Sequence, residues 1–157
     1  LPTASGPGWA LETRPRLPTE WNEHWALAQR LHPEGLVWPH PLHPSIFRGA
    51  GGLGPFGVGG TAHWVWPAEG RPRGWVTARR TGERGGWRLV LLLEPEAHGR
   101  AERPLLRRAL AALERRARRV VVELPAGVAD AELTGQGFVA ERTLAWVARD
   151  WRAAPHP

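Results

Sequence analysis

The sequence predicts an α/β (α+β) domain, a mixed and mostly antiparallel sheet flanked by helices. Three observations predict it. Between residues 61 and 94, strand-like runs are separated by the short turns AEGRPR and TGERGG, as in an antiparallel meander. Residues 104–118 then carry apolar side chains at helical spacing. Val120, Val121 and Val122 follow at once. A strand–helix–strand unit crosses over right-handed and makes that part of the sheet parallel.

Residues 1–18 read as an extended N-terminal arm, with Pro at positions 2, 7, 15 and 18. Thr19 offers a helix N-cap, and Glu20 and Glu23 stand in the first turn, where the helix dipole favours acids. Trp21, Trp25, Ala28 and Leu31, with Leu27, continue at helical spacing until Pro33 and Gly35 stop the helix. Residues 38–60 form a long Pro- and Gly-rich loop before the first clear strand, a place that suits a lid over an acceptor site.

The expected meander strands are Thr61 to Trp66, Gly74 to Arg80 and Trp87 to Glu94. Leu89 to Leu93 is apolar at every position, so both faces of that strand need cover. Pro95 to Arg103 is a loop. Pro104 suits the first helical position, and the helix should run to about Arg118. Leu106, Ala109, Leu110, Leu113 and Ala117 form its inner stripe, with Arg107, Arg108, Glu114, Arg115 and Arg118 in water. The valine strand ends at Pro125. Asp130 can cap a short helix, Ala131 to Gln136, closed by Gly137. Phe138-Val139 and Thr143 to Arg149 supply two last strands.

Composition bounds the chemistry. The 157 residues suit one domain, 42% hydrophobic and 23% charged. Without Cys or Tyr, there is no thiolate nucleophile, no Cys-held metal and no phenol acid. The net charge is +6 and all 21 basic residues are Arg, which permits anionic partners and also keeps a protein in solution. The longest apolar run is far short of the ~20 residues of a membrane span, and LPTASGPG is no secretory leader. A cytoplasmic protein without a membrane partner is expected.

The stretch from Trp87 to Asp150 resembles the GNAT (GCN5-related N-acetyltransferase) superfamily. It runs WRLVLLLEPEAHGRAERPLLRRALAALERRARRVVVELPAGVADAELTGQGFVAERTLAWVARD. The shared order is a long central strand, a loop, a helix ending in a basic run, a valine strand, a short helix and Gly-Phe-Val. Thr61 onward fits the same fold, so residues 61–150 are the best-matched core of a domain spanning 19–157. The resemblance implies acyl-CoA, with acetyl-CoA the leading candidate, between the central strand and its neighbour, with transfer to an amine of a small molecule or protein. It also implies a pyrophosphate held by backbone amides ahead of the helix, chemistry that any helix N-terminus offers an anion. Leu92, Leu93, His98, Gly99, Arg100, Ala101, Glu102, Arg103 and Leu105 then become the cofactor-binding residues. The family loop reads R/Q-x-x-G-x-G/A. Counted from Ala97, its glycine places hold Arg100 and Glu102; counted from His98, they hold Ala101 and Arg103. Glu102 would repel a phosphate, whereas Arg100 and Arg103 could grip one as forked donors. The family's Asn and its general-acid Tyr fall on Ala126 and Leu133. Water can protonate the departing thiolate instead.

Amide formation needs a deprotonated amine, and a nearby carboxylate can take the proton. Glu94 and Glu123 are the candidate catalytic bases, although for each an ion pair with a neighbouring Arg, or an exposed strand end, is the favoured reading. His98 is a third base candidate or an exposed loop residue, the latter being favoured. Gly49 to Gly57 satisfies G-x-G-x-x-G twice, but the surrounding prolines forbid the strand and helix that a dinucleotide site needs. His40 and His43 lie in a Pro-rich loop without a nearby acid, and no metal site is expected. Trp64, Trp66, Trp75, Trp87 and Trp146 belong to the core by default. Strand alternation sends some outward, where a second copy in a homodimer could cover them. Two readings compete with the transferase. One is a GNAT-fold binding or assembly module that has lost its cofactor. The other is a basic nucleic-acid-binding protein using Arg107, Arg108, Arg115, Arg116, Arg118 and Arg119, although no aromatic residues interleave there.

Overall fold

A computed structural model describes residues 12–32, 43–48, 60–124 and 128–141. They hold one sheet of five strands in sequence order: β1 (Arg14–Pro15), β2 (Thr61–Ala68), β3 (Arg71–Arg80), β4 (Gly86–Leu93) and β5 (Arg119–Glu123). The pairs β1–β2, β2–β3 and β3–β4 are antiparallel, and β4–β5 is parallel, as the strand–helix–strand order requires. Helices α1 (Trp21–Leu31) and α2 (Pro44–Arg48) precede β2, α3 (Glu102–Leu113) links β4 to β5, and α4 (Asp130–Gly135) follows.

Period-2 alternation divides the apolar residues between two cores. Trp64, Trp66, Val76, Trp87, Leu89, Leu91 and Leu93 pack with Leu105, Leu106, Ala109 and Leu113 of α3. Val65, Trp75 and Leu92 pack on the other face with Leu27 and Ala28 of α1 and Phe47 of α2. The uninterrupted apolar run of β4 is therefore covered on both sides. Trp64, Trp66, Trp75 and Trp87 are all buried within the chain.

Several expectations are corrected. The arm does not stay apart, since Arg14 pairs with Val65 and Pro15 with Trp64 at the sheet edge. Thr19 does not cap α1. A 3-10 turn, Pro18–Glu20, precedes the helix, and the Glu20 carboxylate accepts the Leu17 amide at 2.7 Å while Arg14 holds it. The loop before β2 contains α2. Helix α3 starts two residues before Pro104, because Glu102 reaches back to the loop, and it ends at Leu113, short of Arg118. Arg107 and Arg108 are half-buried rather than in water. Asp130 opens α4 without capping it, and Ala129 stands before it at φ +57°. Phe138 and Val139 are not in a strand, and Val139 is exposed. The expected strand at 143–149, Trp146, the Gly49 to Gly57 motif, His40 and Ala126 lie outside the described residues.

Two irregularities position the site. The β2–β3 register shifts so that Trp66 faces Gly74 and Pro67 faces Pro72, leaving Arg73 as an extra residue on β3. Such a bulge re-aims a side chain, and Arg73 turns to Glu94. The second irregularity is the end of the β4–β5 ladder. Its last pair is Val90 with Glu123, while β4 continues against β3 to Leu93.

Candidate active site

Where β5 stops following β4, a cleft of about 360 Å³ opens. Val90, Leu91, Leu92 and Leu93 form its floor, Leu31 and His32 at the end of α1 form one wall, and Glu123, Leu124 and Val128 form the other, with His98 at the loop. Its lining is mostly apolar, with a few polar groups, the usual make-up of a small-molecule site. Among the described residues no group of three or more His, Cys, Asp or Glu could hold a metal ion, and no helix is long and apolar enough to cross a membrane.

Three of the sequence-predicted cofactor residues, Leu92, Leu93 and His98, line this cleft. Others are committed elsewhere. Ala101, just before α3, and Leu105, on α3, are fully buried in the core. Arg100 lies over the Trp66 ring, its guanidinium carbon 5.2 Å from the centroid. Arg103 pairs with Glu132 of α4 at 3.4 Å. Neither arginine forks toward the loop amides.

The loop itself holds an anion already. The Gly99 amide donates to Glu102 Oε1 at 2.8 Å, and His98 Nδ1 lies 3.4 Å from the same oxygen. Glu102 is buried, and its Oε2 makes no hydrogen bond among the described residues. Gly99 adopts φ +75°, open to glycine without strain, and this turns its N–H toward Glu102. The other loop amides bond backward, His98 to Pro95, and Arg100 and Ala101 to Ala97. The carboxylate expected to repel a phosphate instead occupies an anion's place.

The two candidate bases differ. Glu123 lines the cleft, and its Oε1 is 3.6 Å from Arg88 Nε. Glu94 lies just past the floor and is held by ion pairs, at 2.8 Å from Arg73, 3.4 Å from Arg71 and 3.5 Å from Arg30. The Glu94 carboxylate raises the Arg73 guanidinium above its ordinary value, mainly through their hydrogen bond. Both acids thus have the arginine partners weighed from sequence, and only Glu123 faces the cleft.

Sequence reasoning missed His32 as part of the site. Its Nδ1 donates to the Ala28 carbonyl at 2.8 Å, which places a proton on that nitrogen. No sequence signal marks it, because only the α1–β4 packing brings it to the cleft. Leu133, standing where the resemblance puts a tyrosine, packs against the core.

No protein-family model matches the chain, and no curated protein matches it significantly. Solved structures do match in fold. The acetyltransferase of GNAT family from Streptococcus pneumoniae shares 16% identity over 82% of this chain and 84% of that chain, with TM-score 0.59. The ribosomal-protein-alanine N-acetyltransferase from Brucella melitensis biovar Abortus 2308 shares 14% over 88% and 98%, with TM-score 0.55. AAC(6')-Iy in complex with the bisubstrate analog CoA-S-monomethyl-acetylneamine shares 16% over 88% and 97%, with TM-score 0.51.

Proposed function

We propose that this chain, whose fold is that of the GNAT acetyltransferases, is an acyl-CoA-dependent N-acyltransferase with acetyl as its acyl group. One observation carries the reading: among the described residues the β4–β5 ladder ends at Val90 and Glu123, beside an apolar cleft where β4 ends. The floor residues Leu91, Leu92 and Leu93 lie beyond the ladder, so their backbone can receive an extended, amide-bearing ligand as a strand would be received. The cleft fits a thioester arm. At the loop, a diphosphate would have to displace Glu102 to reach the Gly99 amide.

Bound there, acyl-CoA would supply a thioester whose C–S bond breaks as the C–N bond to the amine forms. Glu123, on the cleft wall, takes the amine's proton directly or through water. Leu133 has no proton to give a departing thiolate, so that proton would come from water.

Calorimetric titration with acetyl-CoA, followed by thiol-release assays over a panel of amines, tests this. Binding at roughly micromolar Kd, about −8 kcal/mol, is expected. Silence up to millimolar acetyl-CoA overturns it. A second reading, a cofactor-free binding module on the same fold, is favoured by the Glu102 carboxylate on Gly99 and by the two arginines turned away from the loop. Silence in the titration with an intact fold would support that alternative.

A further inference from the structure

We propose that the cluster around Glu94 recognises an acceptor carrying an anionic group, phosphate or carboxylate, close to its amine; its role in transfer, though not in binding, rests on the transferase reading. Arg73 is the structural partner of Glu94, lying 2.8 Å from Oε2 on the bulge of β3. It is the nearest of the three arginines to that carboxylate. Arg71 and Arg30 add only long contacts, 3.4 Å to Oε2 and 3.5 Å to Oε1, and they make no other ion pair among the described residues.

Their exposure separates their roles. The Arg71 and Arg30 side chains are 56% and 61% exposed, whereas those of Arg73 and Glu94 are 16% and 11%. Each guanidinium has five N–H donors in a planar fork, so both keep donors for a ligand oxyanion. Three arginines face two carboxylates, Glu94 and the exposed Glu69, which leaves excess positive charge. Among the described residues Glu94 Oε1 has no closer ion-pair partner than Arg30, and it can accept an ammonium N–H.

Placement ties the cluster to the cleft. Arg30 immediately precedes Leu31, and Glu94 immediately follows Leu93; both Leu31 and Leu93 line the cleft. An acceptor reaching from the cleft past Leu93 would meet the Glu94 carboxylate with its ammonium and the two exposed arginines with its anionic group. A neutral amine would gain only the first contact.

Titrating the full chain alone with O-phosphoethanolamine, β-alanine, ethanolamine and inorganic phosphate tests the proposal, with acetyl-CoA titrated in parallel. At least one amino-anion should bind about tenfold or more tighter than both ethanolamine and inorganic phosphate. Comparing O-phosphoethanolamine with β-alanine tells phosphate from carboxylate. The Arg30→Gln/Arg71→Gln variant, altered only at exposed side chains, should lose the preference while keeping the wild-type circular dichroism. Equal or absent binding of the amines, binding of inorganic phosphate as tight as the better-bound amino-anion, or a preference that survives in the variant overturns it. Selective amino-anion binding with no acetyl-CoA binding keeps this site and overturns the transferase reading instead.

Discussion

Glu102 Oε1 accepts the Gly99 amide at 2.8 Å, so the chain's own carboxylate sits where the loop ahead of α3 presents its N–H to an anion. A helix N-terminus attracts negative charge through unpaired donors and its dipole. Here Glu102, from the first turn of α3, supplies that charge internally. A diphosphate at the same place must displace it.

Removing the charge should therefore help the cofactor. Glu102→Gln keeps a side-chain oxygen for Gly99 and loses the repulsion, and acetyl-CoA should bind about tenfold tighter by calorimetry. Unchanged or weaker binding would place the diphosphate away from this loop. Glu102→Ala also removes the Gly99 acceptor and should lower stability by about 1 kcal/mol in urea unfolding.

Of the two carboxylates, the one in the cleft should matter to chemistry. Glu123→Gln should lower kcat roughly 100-fold with a much smaller change in KM, the pattern of a lost proton acceptor. A kcat within about twofold of wild type would remove Glu123 from the reaction.

Gly74 sets how closely α3 and its loop approach the sheet. A Cβ there would lie 2.9 Å from Leu93 Cδ2, 3.2 Å from Ala101 Cβ and 3.2 Å from Leu105 Cδ1. Gly74→Ala should cost about 1–3 kcal/mol by overpacking, read as a lower urea midpoint at unchanged slope. Because Leu93 also floors the cleft, acetyl-CoA affinity should fall in the same variant. Wild-type stability would show that the contact relaxes freely.

Stability should fall in acid through His24. The ring is fully buried, stacked on Trp75 at 5.6 Å between centroids and edge-on to His63 at 5.4 Å. Arg16 Nη1 lies 3.4 Å from its Nδ1. Burial first, then the His63 and Arg16 charges, push His24 well below its ordinary value of 6.5. Burial also pulls Arg16 down to about 10. The unfolded chain then binds a proton that the folded chain refuses. Stability is complete above about pH 6.5 and declines below it, by up to about 1.4 kcal/mol per pH unit, until His24's folded value is reached. Urea unfolding from pH 8 to pH 5 should show this slope, and His24→Leu should flatten it. An equal slope in the variant would assign the effect to other groups.

The order of elements was legible from local pattern. Turn residues bracket β2, β3 and β4, leucines and alanines mark α3, and the valines mark β5. Helix boundaries were less so. Pro104 suits a first helical position, yet α3 begins at Glu102, whose side chain bonds back to Gly99. The arm's pairing with β2 was hidden because it joins Arg14 to Val65, about fifty residues away in sequence. Nothing in one chain's composition announces such a partner.

Sequence by itself determined the mixed sheet, its parallel β4–β5 pair and the apolar run that needs two cores, because periodicity and turn chemistry act within a few residues. Tertiary structure decided the site. It parted β5 from β4 after Val90, turned Arg73 out of register toward Glu94, drew His32 to the cleft and folded Glu102 onto Gly99. Each of these depends on which group a side chain meets once distant segments pack, and competing partners such as Trp66 for Arg100 become visible only in three dimensions.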